Sequence, residues 1–211
     1  MNTRIGVLVS GSGTNLQALI DAFPLGGTAE IAVVISNNEE AYGLARAREA
    51  SLPAVFVNHR GKSREQFDAE LVDCLRQHKV DWVALAGFKR IITSVFLSAY
   101  PDRVINIHPA LLPSFAGIHA QQQAFDAGVQ VAGATVHFVD GGTDTGPIIA
   151  QGAVARRHGD TVDDLSNRIL SVEHRLFPMV MRWAVEGRLK VIDGRAKVDL
   201  MDGESRSLWG D

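Results

Sequence analysis

Apolar residues recur along this chain in two rhythms. Short continuous runs, Ile5 to Val9, Ile31 to Ile35, Ala54 to Val57, Trp82 to Leu85 and Val104 to Ile107, alternate with segments whose apolar positions return every three or four residues. Runs of this length read as strands buried on both faces, the habit of parallel sheets. The intervening segments read as helices. The first carries Leu16, Leu19, Ile20 and Phe23 and stops at Pro24 and Gly26–Gly27. Tyr42 to Glu49 forms the second. Arg64 to His78 presents Phe67, Leu71, Cys74 and Leu75 on one face, with Cys74 as plain core, and Thr93 to Tyr100 completes the series. Strand alternating with helix predicts right-handed crossovers and a doubly wound, mostly parallel α/β sheet with helices on both faces, Rossmann-like in kind.

After Ile107 the rhythm changes. Pro109, Pro113 and Gly117 mark a loop, and a helix follows around His119 to Asp126. Gly133 to Val139 and Pro147 to Val154 read as added, antiparallel strands on either side of the turn-rich Asp140 to Gly146. A long helix starts at Thr161, where Thr-x-x-Asp (Thr161, Asp164) resembles a capping box. Its apolar stripe runs through Leu165, Ile169, Val172 and Leu176, and Pro178 is expected to kink or break it. Glu173 and His174 lie off that stripe, on what reads as a solvated face. The tail from Leu189 reads as short strands or coil. With no internal repeat, low-complexity stretch or linker, one domain is expected.

Composition narrows the function classes. The chain has 211 residues, 46% hydrophobic and 21% charged, as in an ordinary globular protein rather than a disordered one. With 21 basic and 24 acidic residues the net charge is −3, which leaves no footprint for sequence-independent nucleic-acid binding. A single cysteine cannot form an internal disulfide. No apolar run approaches the ~18 residues of a membrane span, and Met1 to Arg4 leads directly into the first strand without a signal-peptide core. These features predict a cytoplasmic enzyme with neither membrane nor nucleic acid as partner.

Four segments can carry chemistry. Ser10-Gly11-Ser12-Gly13-Thr14-Asn15 lies between strand and helix, where glycines admit an anion and the helix start offers unpaired N–H groups. It is neither a dinucleotide fingerprint nor a P-loop, so it suits a single phosphate; a plain turn with Ser or Thr capping the helix is an equal reading. Asn106-Ile107-His108-Pro109 follows a strand at its C-terminal end, where open α/β sheets bind ligands. Asn106 and His108 point to one face of that strand and can both donate to a developing oxyanion, although a single histidine there can also be structural. Asp140 to Pro147 packs three glycines and two aspartates into eight residues, either an ordered loop or a simple turn. A carboxylate from it beside His108 would favour the imidazolium. Ala86 to Ile92 can hold a flat heterocycle or serve as an ordinary βα loop. His108, His119, His137 and Asp144 are conceivable metal ligands, but no H-x-x-x-H or cysteine pairing supports such a site.

Together these segments resemble the phosphoribosylglycinamide formyltransferases, folate-dependent enzymes of purine synthesis. The resemblance rests on Ser10 to Gln17, Ala86 to Ile91, Asn106 to Pro113 and Asp144 to Gln151, in that order, and spans residues 5 to about 188. It implies transfer of a formyl group from 10-formyltetrahydrofolate, a co-substrate, to the amine of glycinamide ribonucleotide, with no metal. The amides of Gly13, Thr14 and Asn15 would hold the ribotide phosphate, and Glu173 would meet its ribose. Asn106 and His108 would flank the formyl carbon, with Asp144 keeping His108 protonated. The folate would lie along Arg64 and Lys89, Arg90, Ile91 and Ile92, with Asn106 touching it and the Asp140 to Asp144 loop closing on its pterin. Residues 1–100 would then form a phosphate-binding half, 101–190 a catalytic and folate-binding half, and 191–211 a tail, in a monomer or homodimer.

Three positions depart from the family pattern: Ala110 in place of a common Ser, Ala116 in place of a common Pro, and Lys89 where Met or another apolar residue is usual. Lys89 is placed to meet the acidic glutamate tail of the folate. The competing readings are a formyltetrahydrofolate deformylase, which usually carries an N-terminal regulatory domain, and a methionyl-tRNA formyltransferase, which usually carries a C-terminal tRNA domain. A silent folate- or nucleotide-binding module is the third, but pure binding has no need for Asn106, His108 and Asp144 together.

Overall fold

In a computed structural model, which describes residues 2–210, strand β1 (Thr3–Val9) is buried without interruption from Ile5 to Val9. It lies between two parallel neighbours, β2 (Ala29–Ser36) and β4 (Trp82–Leu85). A strand covered on both faces cannot alternate polar with apolar residues, which is why the sequence shows unbroken runs. Beyond β2 lies β3 (Ala54–Phe56), and beside β4 lies β5 (Val104–His108), again parallel. The chain thus builds outward from β1 in one direction and then restarts at β4 on the other side. That reversal is where open α/β sheets leave a crevice at the C-terminal strand ends.

The crossovers are helices α1 (Thr14–Ala22), α2 (Tyr42–Glu49), α3 (Arg64–Gln77) and α4 (Ser94–Ala99). Helix α3 opens with a capping box that sequence reading passed over. Ser63 Oγ accepts from the Gln66 N–H at 3.2 Å while Gln66 Oε1 accepts from the Ser63 N–H at 3.0 Å. The buried Asp68 carboxylate accepts from the Thr93 N–H at 2.6 Å, ahead of the first turn of α4.

The chain divides into two compact units, the first ending at Asn106 and the second beginning at Ile107, so the boundary falls within β5. The second unit contains α5 (Ala120–Asp126), β6 (Val131–Phe138), β7 (Ile148–Ala155) and α6 (Val162–Val185). Strands β6 and β7 are antiparallel, and α6 packs on both. Strands β8 (Leu189–Ile192) and β9 (Arg195–Val198) form a separate hairpin turned by Asp193 and Gly194, both with positive φ, as a two-residue hairpin turn demands. Strand β10 (Ser207–Trp209) pairs parallel with β7 at the sheet edge. Hydrogen-bonded neighbours run β3-β2-β1-β4-β5-β6-β7-β10, the mostly parallel sheet with antiparallel addition that the sequence predicts.

Two readings of α6 need correction, a break at Pro178 and a solvated Glu173. The helix runs unbroken through Pro178 to Val185. Proline removes one donor and costs ~3 kcal/mol in a helix interior, but Leu176, Phe177, Pro178, Val180 and Met181 are all buried, and that packing outweighs the local cost. Glu173 is only 5% exposed, not solvated. A helix seated on two strands buries a stripe wider than one row of apolar residues, and Glu173 falls within it. The capping box at Thr161 is formed as expected, with Oγ1 accepting from the Asp164 N–H and Asp164 accepting from the Thr161 N–H.

Candidate active site

The loop after β1 begins with Ser10, whose Oγ donates to Asn37 Oδ1 at 2.6 Å and accepts from the Lys89 N–H at 2.8 Å. One hydroxyl therefore ties together the C-terminal ends of β1, β2 and β4. Gly13 stands at the N-cap of α1 with φ 70°, and a Cβ there would lie 2.7 Å from Gly43 Cα. Only glycine fits that approach. Having no side chain, Gly13 itself makes no side-chain cap bond to the start of α1. The reading in which Ser or Thr caps the helix is therefore corrected: the N-cap is Gly13.

The loop after β4 presents its residues unevenly. Ile91 is 55% exposed, while the Ile92 side chain is buried in the core and has only its backbone to offer a ligand. Lys89 is exposed and Arg90 half-buried. The Arg90 guanidinium lies 6.0 Å from the centre of the Phe67 ring, which itself stacks on Phe88. Arg64 is exposed at the first turn of α3.

At the end of β5, Asn106 is half-buried and His108 buried, and strand alternation turns both to one face. The segment following His108 is held from β6 and β7. Thr135 Oγ1 donates to the Ala110 carbonyl at 2.7 Å and accepts from the Leu112 N–H at 3.0 Å, and Gln151 Nε2 donates to the Leu112 carbonyl at 2.9 Å. His108 Nδ1 lies 3.3 Å from Asp144 Oδ2, and Nε2 lies 2.9 Å from the Phe115 carbonyl oxygen. Both ring nitrogens face acceptors, an arrangement that the doubly protonated ring satisfies fully and a neutral tautomer only by half. The long-range pairing of His108 with Asp144 is thus present.

Asp144 sits in the β6–β7 connection at φ 55°, a left-handed conformation that aspartate tolerates better than most residues. The turn around it is shaped by Asp140, which accepts from the Gly142 N–H and the Thr145 hydroxyl. Gly146 allows it to pass close to β6, since a Cβ there would lie 1.9 Å from the Phe138 carbonyl oxygen. The loop and turn readings of this segment therefore describe the same structure. Asp144 Oδ2 also accepts from the Gly117 N–H at 2.8 Å, and Oδ1 stands 3.6 Å from His137 Nε2. Burial pushes the Asp144 carboxyl up, but His137, the Gly117 amide and the nearby imidazoles outweigh it and hold it below the ordinary carboxylate range.

His137 is the residue whose place in this constellation sequence reading missed, having weighed it only as a metal ligand. The available signal was a histidine inside an apolar strand, two residues after Thr135 and therefore on the same face. Its Nδ1 lies 2.7 Å from the Phe138 carbonyl oxygen, which orients the ring. Among the described residues no group of three or more His, Cys, Asp or Glu is arranged to hold a metal ion. His119 is exposed at the N-cap of α5. Glu173 is buried on α6 in the second unit, and Gly13, Thr14 and Asn15 belong to the first. Among the described residues no helix is long and apolar enough to cross a membrane.

Comparison with known proteins gives a concordant result. The formyl transferase family model matches residues 3–181. The phosphoribosylglycinamide formyltransferase of Escherichia coli (strain K12) is 41% identical over 200 residues, covering 93% of this chain and 93% of that protein. The trifunctional purine biosynthetic protein adenosine-3 of Drosophila melanogaster is 45% identical over 188 residues. These cover 87% of this chain but 14% of that much longer protein. Glycinamide ribonucleotide transformylase 1 from Symbiobacterium toebii superposes with a TM-score of 0.89 at 49% identity, over 93% of this chain and 94% of its own. A family match over residues 3–181, with 41% identity across 93% of both chains in one relative and a TM-score of 0.89 with a solved structure, makes this chain a member of the formyl transferase family.

Proposed function

We propose that the chain transfers the formyl group of 10-formyltetrahydrofolate to the amine of glycinamide ribonucleotide, giving N-formylglycinamide ribonucleotide and tetrahydrofolate. The observation that carries this reading is the Asp144 carboxylate set 3.3 Å from His108, with Asn106 two residues earlier on the same strand. The amine nitrogen attacks the formyl carbon, and the carbonyl electrons move onto oxygen. Asn106 donates to that oxygen through its amide N–H, and His108 through a ring N–H held cationic by Asp144. One amine proton passes to the folate nitrogen as the carbon–nitrogen bond to folate breaks, and expulsion of tetrahydrofolate restores the carbonyl. Since both reactants meet directly, positioning supplies much of the rate enhancement and neither an activated nucleophile nor a metal takes part.

The geometry adds one requirement. Nε2 is the His108 nitrogen turned away from Asp144, and the Phe115 carbonyl already occupies it. For His108 to stabilise the oxyanion, the formyl oxygen must replace that carbonyl. Gly13, Thr14 and Asn15 bind the ribotide phosphate through backbone N–H groups, and Glu173 binds its ribose. Lys89, Arg90, Ile91, the Ile92 backbone, Asn106 and Arg64 serve the folate. We assign the enzyme to the cytoplasm, acting as a monomer or homodimer. The test is an absorbance assay of tetrahydrofolate formation with and without glycinamide ribonucleotide. Strict dependence on the ribotide supports the transferase, formyl loss without it selects a hydrolase, and no turnover selects a binding module.

A further inference from the structure

The α1 loop owes its shape to a residue outside the motif that defines it. From α2, the Gly43 N–H donates to the Gly11 carbonyl at 3.0 Å, and Arg46 Nε donates to the Ser12 carbonyl at 2.9 Å. The Gly13 carbonyl, the next along, accepts from the Gln17 N–H at 3.0 Å. Three successive carbonyls are therefore committed, two of them to α2. In a planar trans peptide the C=O and the following N–H point in opposite directions. Fixing Ser12 C=O on α2 thus turns the Gly13 N–H away from α2, and fixing Gly11 C=O does the same for Ser12 N–H.

The Arg46 fork is itself immobilised. Its Nη1 donates to Gln17 Oε1 at 3.2 Å, on the first turns of α1, and its guanidinium carbon lies 4.9 Å from the centre of the Tyr42 ring. One cation therefore ties the loop to the helix at whose N-terminus that loop ends, and adds positive charge beside it. Gly13 cannot escape by shifting towards α2, since Gly43 Cα already closes that side.

We propose that Arg46 is a positioning residue for anion binding: through the Ser12 carbonyl it aims the Gly13 N–H at the phosphate of the ribotide. The inference rests on the reading that Gly13, Thr14 and Asn15 hold that phosphate. It predicts selective damage. In Arg46→Met, the KM for glycinamide ribonucleotide and the calorimetric Kd for inorganic phosphate both rise about tenfold, the loss expected when one charge-assisted hydrogen bond no longer orients a donor. The KM for 10-formyltetrahydrofolate stays within about twofold and kcat falls by less than the ribotide KM rises. Arg46→Lys keeps the charge but not the fork, and recovers part of the phosphate affinity.

A folded Arg46→Met with unchanged ribotide KM and phosphate Kd overturns the proposal. An equal rise in both substrates' KM also overturns it, because that marks a general structural role. Should Arg46→Met fail to fold, Arg46→Lys carries the test, and a wild-type phosphate Kd then counts against Arg46. Wild-type protein that binds phosphate in an Arg46-dependent way but transfers no formyl group to the ribotide refutes the functional reading and leaves the positioning role standing. Wild-type protein that binds neither ligand refutes both.

Discussion

Asp144→Asn keeps the size of the side chain and removes its charge, so it isolates the electrostatic term in the proposed mechanism. Asp144 Oδ2 serves two donors at once, the Gly117 N–H at 2.8 Å and His108 Nδ1 at 3.3 Å, and its side chain is 14% exposed. A carboxamide oxygen in the Oδ2 position can still accept from both donors, with its NH₂ turned towards His137 Nε2, so the charge is what the substitution removes. At the observed 3.3 Å, two unit charges attract by ~5 kcal/mol at an effective dielectric of about 20 and by ~1 kcal/mol at that of water. Partial exposure places the pair between these limits. The rate loss is therefore bracketed between roughly tenfold and a few thousandfold, centred on the ~10²–10³-fold typical of losing one oxyanion donor. The measurement is steady-state tetrahydrofolate formation at saturating ribotide, with urea unfolding as the check on folding. A folded Asp144→Asn enzyme retaining turnover within about threefold of wild type refutes the reasoning, because it leaves Asp144 with no electrostatic role in the reaction.

The same carboxylate leaves a signature in acid stability. Because the folded Asp144 titrates below the ordinary value of 3.8, its contribution is fully present above that value and is lost as pH falls through the lower folded one. Urea titrations should show the gap between wild type and Asp144→Asn constant at neutral pH and closing below about pH 4; a gap that persists there contradicts the assignment. Thr161→Ala removes the side-chain half of the α6 capping box, leaving the backbone N–H of residue 161 on Asp164, and should cost ~1 kcal/mol of stability with no change in KM, read from the shift in urea midpoint. Lys89 is exposed beside Ile91, so Lys89→Met should weaken binding of polyglutamylated over monoglutamylated folate and flatten its salt dependence. Equal affinities across salt concentrations would remove Lys89 from folate recognition.

What this chain declares by itself is local. Unbroken apolar runs mark strands β1, β2 and β4 because a parallel strand with two neighbours has no solvent face. The helices announce themselves by their periodicity, and the Thr161 capping box by two residues three positions apart. Asn106 and His108 share one face of β5 through strand alternation alone, which needs no knowledge of the rest of the fold. The pairing of His108 with Asp144, 36 residues away, entered as an implication of family resemblance, since no local rule links a strand tip to a distant turn. Tertiary structure alone decided the remainder. Pro178 stays within α6 and Glu173 is buried because the sheet beneath the helix rewards packing over local preference. His137 reaches Asp144 only once β6 and its connection to β7 are folded. Arg46 acts on the α1 loop across 34 residues through a single carbonyl. Propensity and periodicity extend over a few residues, whereas charge, hydrogen bonding and burial operate between any groups that the fold brings together.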